Sequence, residues 1–309
     1  MHIPTIRHKH LLIAGLAATL AWSAQAVEIV FKPVAPDVYA YVGDTEGRTF
    51  ENEAINANIG LVVTPAGALL IDSGASFQGA KQIAEAAKKV TAQPIRWIIN
   101  TGGQDHRWLG NGYFKAQGAE IMAHADAEAD MKARGPEHLK ANAPVLKEKM
   151  DGTELVLPTR WLKDANTKLE LGGTNIEVVH RKGGHTPGDS MVWLPQSGVV
   201  FTGDVVYVDR ILGLHPVSKT KTWVESFEAL EALNPKVVVP GHGPLSNRAE
   251  LVAYGEMLRG FRARVAELKQ QGKSLDQIIA AKPTAKYDAI WAGQFISPEL
   301  LIGFIYKTL

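Results

Sequence analysis

GGHTPGDS occupies residues 183–190 and follows an apolar, β-branched run that predicts a buried strand over residues 169–180. The glycines of this stretch let the backbone turn sharply where the strand ends. His185 then presents an imidazole at the turn, and imidazole is a common metal ligand. A single histidine is more often structural than ligating, so the other strand ends of the chain decide its interpretation.

Two loops further along the chain repeat this arrangement. FTGD at residues 201–204 ends on Asp204, and VPGHGP at residues 239–244 carries His242, each after an apolar run. Such strand ends can converge on one point, and two imidazoles with one carboxylate suit a zinc-like divalent ion. Three loops of this kind in one chain therefore predict a metal site.

The rest of the chain alternates strand-like and helix-like stretches. The apolar runs 58–64 and 68–72 flank a Pro-Ala-Gly turn and predict a hairpin. Further strands are predicted over 37–42, 95–100, 120–123, 169–180, 191–194, 199–202 and 236–239. Helices are predicted over 77–90, from about His106, over 125–150 and 221–233, and through most of 247–309. With no linker or repeat, this alternation predicts one α/β domain of stacked layers over residues 27–309.

The N-terminus has the pattern of an export signal. Basic residues at 7–10 precede an apolar run at 11–22, which is shorter than the roughly 20 residues needed to span a bilayer. Ala24-Gln25-Ala26 then matches a small-x-small cleavage site. We predict a signal peptide over residues 1–26, cleavage near Ala26 and a periplasmic protein without a membrane anchor, an uncleaved anchor being the alternative.

Composition narrows the classes of partner. The 309-residue chain has a formal net charge of +1 and no concentrated basic stripe, which argues against nucleic acid and leaves a small-molecule substrate. It contains 0 Cys, so thiolate catalysis and cysteine–metal ligation by the protein are excluded.

Five ordered motifs carry a family resemblance over residues 58–244. LLIDSGA, the loop after IINT, GGHTPGDS, FTGD and VVVPGHGP resemble the motifs of the metallo-β-lactamase superfamily. The resemblance implies a four-layer αβ/βα sandwich with a one- or two-metal site between two sheets, and hydrolysis of lactams, thioesters or phosphoesters. The signal peptide and the segment from FTGD to VVVPGHGP are also similar to periplasmic hydrolases of quinoprotein dehydrogenase systems and to SoxH-type proteins.

Matched residue by residue, the resemblance assigns metal-binding roles to the three loops. His185 matches a ligand of the first metal, Asp204 the carboxylate between the two metals, and His242 a ligand of the second. Asp72 matches a buried aspartate that steadies the ligand loop through a hydrogen bond.

One motif departs from the family pattern His-x-His-x-Asp-His. In the register without a gap, the two early histidines become Gly102 and Gln104, the aspartate becomes His106 and the last histidine becomes Arg107. A one-residue shift would instead place Asp105 and His106 at the Asp-His positions. We prefer the register without a gap, and both registers leave His106 beside the metal.

Counting donors predicts one tightly held metal. His106, Asp204 and His242 make three protein ligands with a position open for water, as in catalytic zinc sites. The other site keeps only His185, the shared Asp204 and the weak neutral donor Gln104, so a second metal is expected to be weak or absent. Zinc is the expected ion, with manganese or iron as alternatives.

Other residues near the site have two interpretations each. Asp105 is predicted to orient or deprotonate the water, or to cap the helix that starts at His106. Arg107 is predicted to form a salt bridge with Asp204 or to hold an anionic substrate group. His215 is a candidate for substrate contact at the mouth of the site.

Three further histidines have non-catalytic interpretations: His180 is predicted to be packed or hydrogen-bonded, and His124 and His138 to lie on the surface.

The sequence thus predicts an enzyme, a periplasmic hydrolase that uses a metal-bound hydroxide on a small ester, thioester or lactam-like amide. Two alternatives remain: a non-hydrolytic metal-binding partner or sensor in a periplasmic redox or sulfur pathway, and iron-dependent sulfur oxidation. The helical tail, with Trp291, Phe295 and Phe304, is predicted to cover the site or to form a homodimer contact.

Overall fold

A computed structural model describes residues 27–209, 213–287 and 297–309. The predicted signal peptide, Trp291 and Phe295 lie outside these ranges, so their predicted roles stay predictions. Within the described ranges, every helix is too short or too polar to cross a membrane.

The first sheet has seven strands and contains the predicted hairpin. Its strands, in spatial order, are β1 Lys32–Ala35, β2 Val38–Tyr41, β3 Ile59–Thr64, β4 Gly67–Ile71, β5 Ile95–Asn100, β6 Glu120–His124 and β7 Arg160–Leu162. Strands β1 to β4 pair antiparallel, and β4 to β7 pair parallel. The carboxyl ends of β4, β5 and β6 therefore lie at the same edge of the sheet, where ligand sites commonly form.

The second sheet has five strands and supplies the other loops. In spatial order they are β12 Val237–Val239, β11 Val199–Phe201, β10 Ser190–Leu194, β9 Thr174–His180 and β8 Asn166–Leu171. Strands β11 and β12 pair parallel, with Phe201 opposite Val239, so the two loops that follow them begin side by side.

Helices cover the outer faces of both sheets. They are α1 Phe77–Lys88, α2 Asp105–Trp108, α3 Asn111–Ala116, α4 Glu128–Leu146, α5 Thr220–Ala232, α6 Arg248–Gln270, α7 Leu275–Ala280 and α8 Pro298–Lys307. Helices α1 and α3 pack on the first sheet, and α5 and α6 pack on the second. Between the sheets lies an apolar core that includes Leu69, Ile99, Val178 and Val192. The predicted four-layer sandwich is confirmed.

The predicted strand over 169–180 is divided in the structure. Gly172 and Gly173, with φ of 58° and 86°, turn the chain back and make β8 and β9 an antiparallel hairpin. Glycine takes these left-handed angles without the steric cost that a Cβ would bring. The two glycines are therefore a turn signal that the apolar pattern alone had concealed.

Candidate metal centre

His106, Asp204 and His242 meet at the ends of three strands. His106 lies in α2 after β5, Asp204 follows β11 and His242 follows β12. The Nε2 atom of His106 is 3.3 Å from Oδ2 of Asp204, and Nε2 of His242 is 3.3 Å from Oδ1. These three ligand atoms lie within 4.8 Å of one another, and all three residues are buried. Buried loops that follow parallel strands of both sheets thus converge on one point.

The surroundings of the two imidazoles leave ligand nitrogens directed at that point. Nδ1 of His242 lies 2.9 Å from the carbonyl oxygen of Asn56 and must donate to it, which leaves an Nε2 lone pair facing Asp204. Burial lowers the pKa of His242 to about 3, so its ring is neutral. Within the described residues, neither buried ring nitrogen of His106 makes a hydrogen bond, although Nδ1 lies 3.3 Å from Oδ1 of Asp105. Unpaired buried nitrogens beside a carboxylate are what a divalent cation would satisfy, so these residues fit a metal ion.

Arg107 holds the carboxylate of Asp204 through hydrogen bonds on the side away from the cleft. Its Nε and Nη2 donate to Asp204 at 3.1 and 2.6 Å, and its Nη1 donates to Asp72 at 2.8 Å. Each carboxylate oxygen has two lone pairs, so Asp204 keeps one on each oxygen for the metal. Although burial alone would raise the pKa of Asp204, Arg107 and His106 keep it well below the usual value. The predicted salt bridge is confirmed, and Arg107 is fully buried, so the alternative of a substrate contact is wrong.

Asp72 steadies the loop that carries His106. Its Oδ1 accepts from the backbone N–H of Thr101 at 2.7 Å, and its Oδ2 accepts from Arg107. The residue lies at the end of β4 with φ of 68°, an angle that aspartate tolerates better than most residues. The hydrogen bond that the sequence predicted for this aspartate is present.

A cleft of about 460 Å³ opens above the three ligands. Its lining includes Gly47, Arg48, Asn56, Gln104, His106, Ala141, Asn142, Val145, His185, Tyr207, Gly213, Leu214, His215 and His242. This volume lies within the range of small-molecule sites.

His185 and His215 form one wall of the cleft. Their ring centroids are 4.7 Å apart, and Nδ1 of His185 lies 2.9 Å from the carbonyl oxygen of Gly213. Burial lowers the pKa of each to about 4, so both rings are neutral at physiological pH. His185 is outside the three-residue ligand set, although it faces the same cleft. His215 lines the cleft, where the sequence predicted a substrate contact.

Comparisons with known proteins agree with this arrangement. Residues 53–242, well over half of the chain, match the Metallo-beta-lactamase superfamily. The chain belongs to this superfamily. It is 28% identical to a metallo-beta-lactamase type 2 of Bacillus cereus over 223 residues, which cover 70% of this chain and 78% of the relative.

Two solved structures share the fold. The FIM-1 metallo-beta-lactamase of Pseudomonas aeruginosa, in a mono-zinc form, superposes with a TM-score of 0.61 at 21% identity, covering 75% of this chain and 95% of that one. The stereoselective inverting sec-alkylsulfatase Pisa1 from Pseudomonas sp. gives a TM-score of 0.72 at 17% identity and covers 90% of this chain. This chain spans only 50% of that sulfatase.

Gln104 and Gly102, in the motif predicted to have lost two histidines, lie close to other polar side chains. Oε1 of Gln104 accepts from Arg134 at 3.1 Å, and its Nε2 donates to Asp105 at 3.1 Å. A Cβ on Gly102 would lie 2.8 Å from Oδ1 of Asp189, so an imidazole there requires that carboxylate to move. The amide oxygen predicted as a weak ligand is already engaged, because α4 brings a guanidinium against it.

Asp105 acts on its neighbours rather than on the cleft. Its Oδ1 accepts from Arg48 at 2.5 Å and from the His106 backbone N–H at 2.9 Å, and its Oδ2 accepts from Asn142 at 2.9 Å. Burial alone would raise its pKa, but Arg48 and His106 lower it well below the usual value. A carboxylate with such a low pKa is a weak base, so the geometry favours positioning of His106 over proton abstraction. Helix α2 begins at Asp105 itself, with Gln104 as its N-cap residue.

Helix α4 carries a polar ridge that was not predicted from the sequence. Asp130, Arg134, His138 and Asn142 recur every fourth residue, so they share one helix face, and that face packs against the Gln104–Asp105 segment. His138 was predicted to lie on the surface but is only 8% exposed, because this ridge is buried against the site. The four-residue spacing of polar side chains in an Ala-rich helix is the signal that could have revealed it.

A second histidine cluster lies where β6 and β9 end. The rings of His124 and His180 stack with centroids 3.5 Å apart and an interplanar angle of 18°. Nδ1 of His180 lies 2.9 Å from the Asp189 carbonyl oxygen, and Nε2 lies 3.0 Å from Oδ2 of Asp126. His180 is therefore packed and hydrogen-bonded, as predicted. His124 was predicted to be exposed, but it is 4% exposed because the His180 ring covers it.

Proposed function

We propose that this protein is a periplasmic, metal-dependent hydrolase that holds one divalent ion through His106, Asp204 and His242. The convergence of these three side chains beside a cleft that His106 and His242 line is the observation that carries the proposal. His106 matters most, because its buried Nε2 lies 3.3 Å from Asp204 and makes no hydrogen bond within the described residues. A divalent ion at such a site supplies Lewis-acid activation of water for attack on a carbonyl-like centre.

The protein's own groups prepare the site for that chemistry. Arg107, itself anchored by Asp72, fixes Asp204 and keeps it ionised, so a negatively charged ligand is always presented. The carbonyl of Asn56 fixes the tautomer of His242, which keeps its Nε2 lone pair directed inward. His185 and His215 are neutral, so they can accept or donate hydrogen bonds to a bound substrate without adding charge.

The proposed substrate is a small ester, thioester or amide-like molecule. The cleft volume of about 460 Å³ is suited to such a molecule. The named relatives act on different bonds, lactams in one case and alkyl sulfates in another, so the family alone leaves the bond open. The periplasmic location and the likeness to SoxH-type proteins rest on the sequence motifs.

Turnover under metal control tests the proposal. The purified mature protein is assayed with nitrocefin, an acyl thioester and a 4-nitrophenyl ester, before and after chelation and after return of zinc, manganese or iron. We expect hydrolysis of at least one substrate that stops on chelation and returns with one ion. Asp204→Asn should abolish turnover, whereas Glu85→Gln, an exposed carboxylate on α1, should not change it. Equal turnover in the chelated protein or in Asp204→Asn would refute the proposal.

Iron-dependent sulfur oxidation is a second candidate, and the donor set favours it. Two histidines and one carboxylate are also the ligands that non-haem Fe(II) oxygenases use. Metal analysis together with oxygen consumption in the presence of a persulfide separates the two candidates. Oxygen uptake that depends on iron, without hydrolysis, would select the oxidation.

A further inference from the structure

Arg48 gives the cleft a permanent positive charge. It lies in the connection between β2 and β3 and lines the cleft with the metal ligands His106 and His242. Among the described residues that line the cleft, Arg48 alone carries a permanent charge, and none is acidic. Behind the cleft, Arg107 pairs with both Asp204 and Asp72. A substrate that enters therefore meets the guanidinium of Arg48, which is paired on its buried side with Asp105.

The guanidinium of Arg48 is held in place before any substrate arrives. Its Nη2 donates to Oδ1 of Asp105 at 2.5 Å, and Asn142 and the His106 backbone N–H hold that carboxylate in turn. The Arg48 side chain is 32% exposed, so part of it reaches solvent in the cleft. A preorganised side chain loses little conformational entropy on binding, which favours its use in recognition.

Arg48 retains donors for a ligand. A guanidinium has five N–H donors, and Asp105 takes one of them in the described structure. Its Nε is buried and has no hydrogen-bond partner within the described residues. Guanidinium N–H groups match the geometry of carboxylate and other oxyanions, which accept two parallel hydrogen bonds.

A hydrogen-bond acceptor on Asn56 lies in the same cleft and can orient a bound molecule. Asn56 lines the same cleft and is only 2% exposed, and its buried Oδ1 has no hydrogen-bond partner in the part of the chain that the structure describes. Its Nδ2 donates to the carbonyl of Glu46 at 2.8 Å, which fixes the amide orientation. Asn56 can therefore accept an N–H or O–H from a molecule that Arg48 holds by its anionic group.

We propose that Arg48 is the specificity-determining residue of the cleft and selects substrates that carry an oxyanion group, such as a carboxylate, apart from the bond that is cleaved. This inference rests on the proposed hydrolase function and narrows its substrate class. Asp105 is the positioning residue that holds the guanidinium, and it links the anion site to the backbone of His106.

A matched pair of esters tests this selectivity. The 4-nitrophenyl monoester of glutarate carries a free carboxylate, and 4-nitrophenyl valerate is a neutral ester of similar length. The ratio of their kcat/KM values is measured for the wild type, Arg48→Gln, Arg48→Lys and the control Arg264→Gln, an exposed arginine of α6. Metal content is determined for each protein, so that a lost ion is distinguished from a lost contact.

The wild type should prefer the anionic ester, and Arg48→Gln should lower the ratio by roughly tenfold to a hundredfold, the value of a charge-assisted hydrogen bond. Arg48→Lys should retain part of the preference, because lysine keeps the positive charge but lacks the two parallel N–H donors of the guanidinium. The control should keep the wild-type ratio. Esterase activity without this preference, or with a preference that survives in Arg48→Gln, would overturn the inference while the hydrolase proposal stands.

Direct binding covers the case in which neither ester is cleaved. Glutarate is titrated into the metal-loaded wild type and Arg48→Gln by calorimetry, at low and high salt. Binding that is lost in the variant would support the anion site even though the hydrolase proposal had failed for these esters. Equal binding to both proteins, or none to either, would overturn the inference.

Discussion

Two clusters in this molecule have the same composition, two histidines and one aspartate, but different geometry. In the cleft, His106 and His242 direct Nε2 atoms at opposite oxygens of buried Asp204, and their rings lie at 78°. In the second cluster, His124 and His180 stack at 18°, and the aspartate is half exposed. A cation needs lone pairs that converge, whereas lone pairs of stacked rings run parallel. Nitrogen direction, more than residue type, therefore distinguishes a metal site from a packed pair.

The largest difference between the two clusters is expected in metal affinity when one histidine is removed from each. His106→Gln removes a nitrogen that points at the proposed ion, so the metal Kd should rise by roughly a hundredfold or more. His124→Gln removes a ring that stacks on its neighbour and should leave the metal Kd within about twofold. Competition with a fluorescent zinc chelator measures both. A similar loss of affinity in the two variants would remove the distinction between the clusters.

The ion pairs of the aspartates in the two clusters, Asp204 and Asp126, should contribute differently to the free energy of unfolding. Arg107→Met leaves Asp72 and Asp204 buried without a counter-charge and should lower the free energy of unfolding by about 3–5 kcal/mol. Asp126 is half exposed, so Asp126→Asn should change it by no more than about 0.5 kcal/mol. Urea denaturation of the metal-free proteins gives both values. A loss below about 1 kcal/mol in Arg107→Met would contradict the central ion pair.

Acid should weaken the stacked cluster in a defined pH window. Burial and His180 lower the pKa of His124 to about 4 from the usual 6.5. Between these values the unfolded chain binds the proton and the folded chain does not, so His124 costs stability increasingly as pH falls from 6.5 to 4. Between pH 7 and pH 4, the free energy of unfolding of His124→Gln should therefore fall by about 2–3 kcal/mol less than that of the wild type. Identical pH profiles from denaturation would contradict the buried neutral ring.

The smallest effect is expected at Gly102, where the carboxylate of Asp189 lies close to the backbone. Gly102→Ala places a Cβ 2.8 Å from Oδ1 of Asp189 and should destabilise the fold by about 1–2 kcal/mol. A Cβ on Gly260 of α6 would meet no described residue within 4 Å outside its own helix turn, so Gly260→Ala should be neutral or stabilising. Thermal unfolding compares the two variants. No loss in Gly102→Ala would show that the space beside Asp189 can accommodate a side chain.

Local sequence was sufficient to predict the α/β layers and two of the three ligand loops, whereas His106 was assigned through the family resemblance. Apolar strands that end in glycine and a polar residue define both the sheets and the loops of Asp204 and His242, because these features lie within a few residues. The hairpin at Gly172 was missed, since the apolar pattern continues across its turn.

Long-range contacts explain what the sequence could not predict. Arg48 reaches Asp105 across 57 residues, and Arg134 reaches Gln104 across 30, so no local pattern links either pair. His124 and His138 are buried by partners from other elements, which hydropathy of a histidine cannot reveal. Gln104 was predicted to be a weak metal ligand, and the hydrogen bond that engages its amide oxygen comes from Arg134 on α4.

Anomalous diffraction at metal absorption edges, from crystals of the mature protein, tests the central claim most directly. We predict one strong peak between Nε2 of His106, the carboxylate of Asp204 and Nε2 of His242, and no peak between His124 and His180. A peak at the stacked pair, or none beside Asp204 after incubation with zinc, manganese and iron in turn, would contradict it.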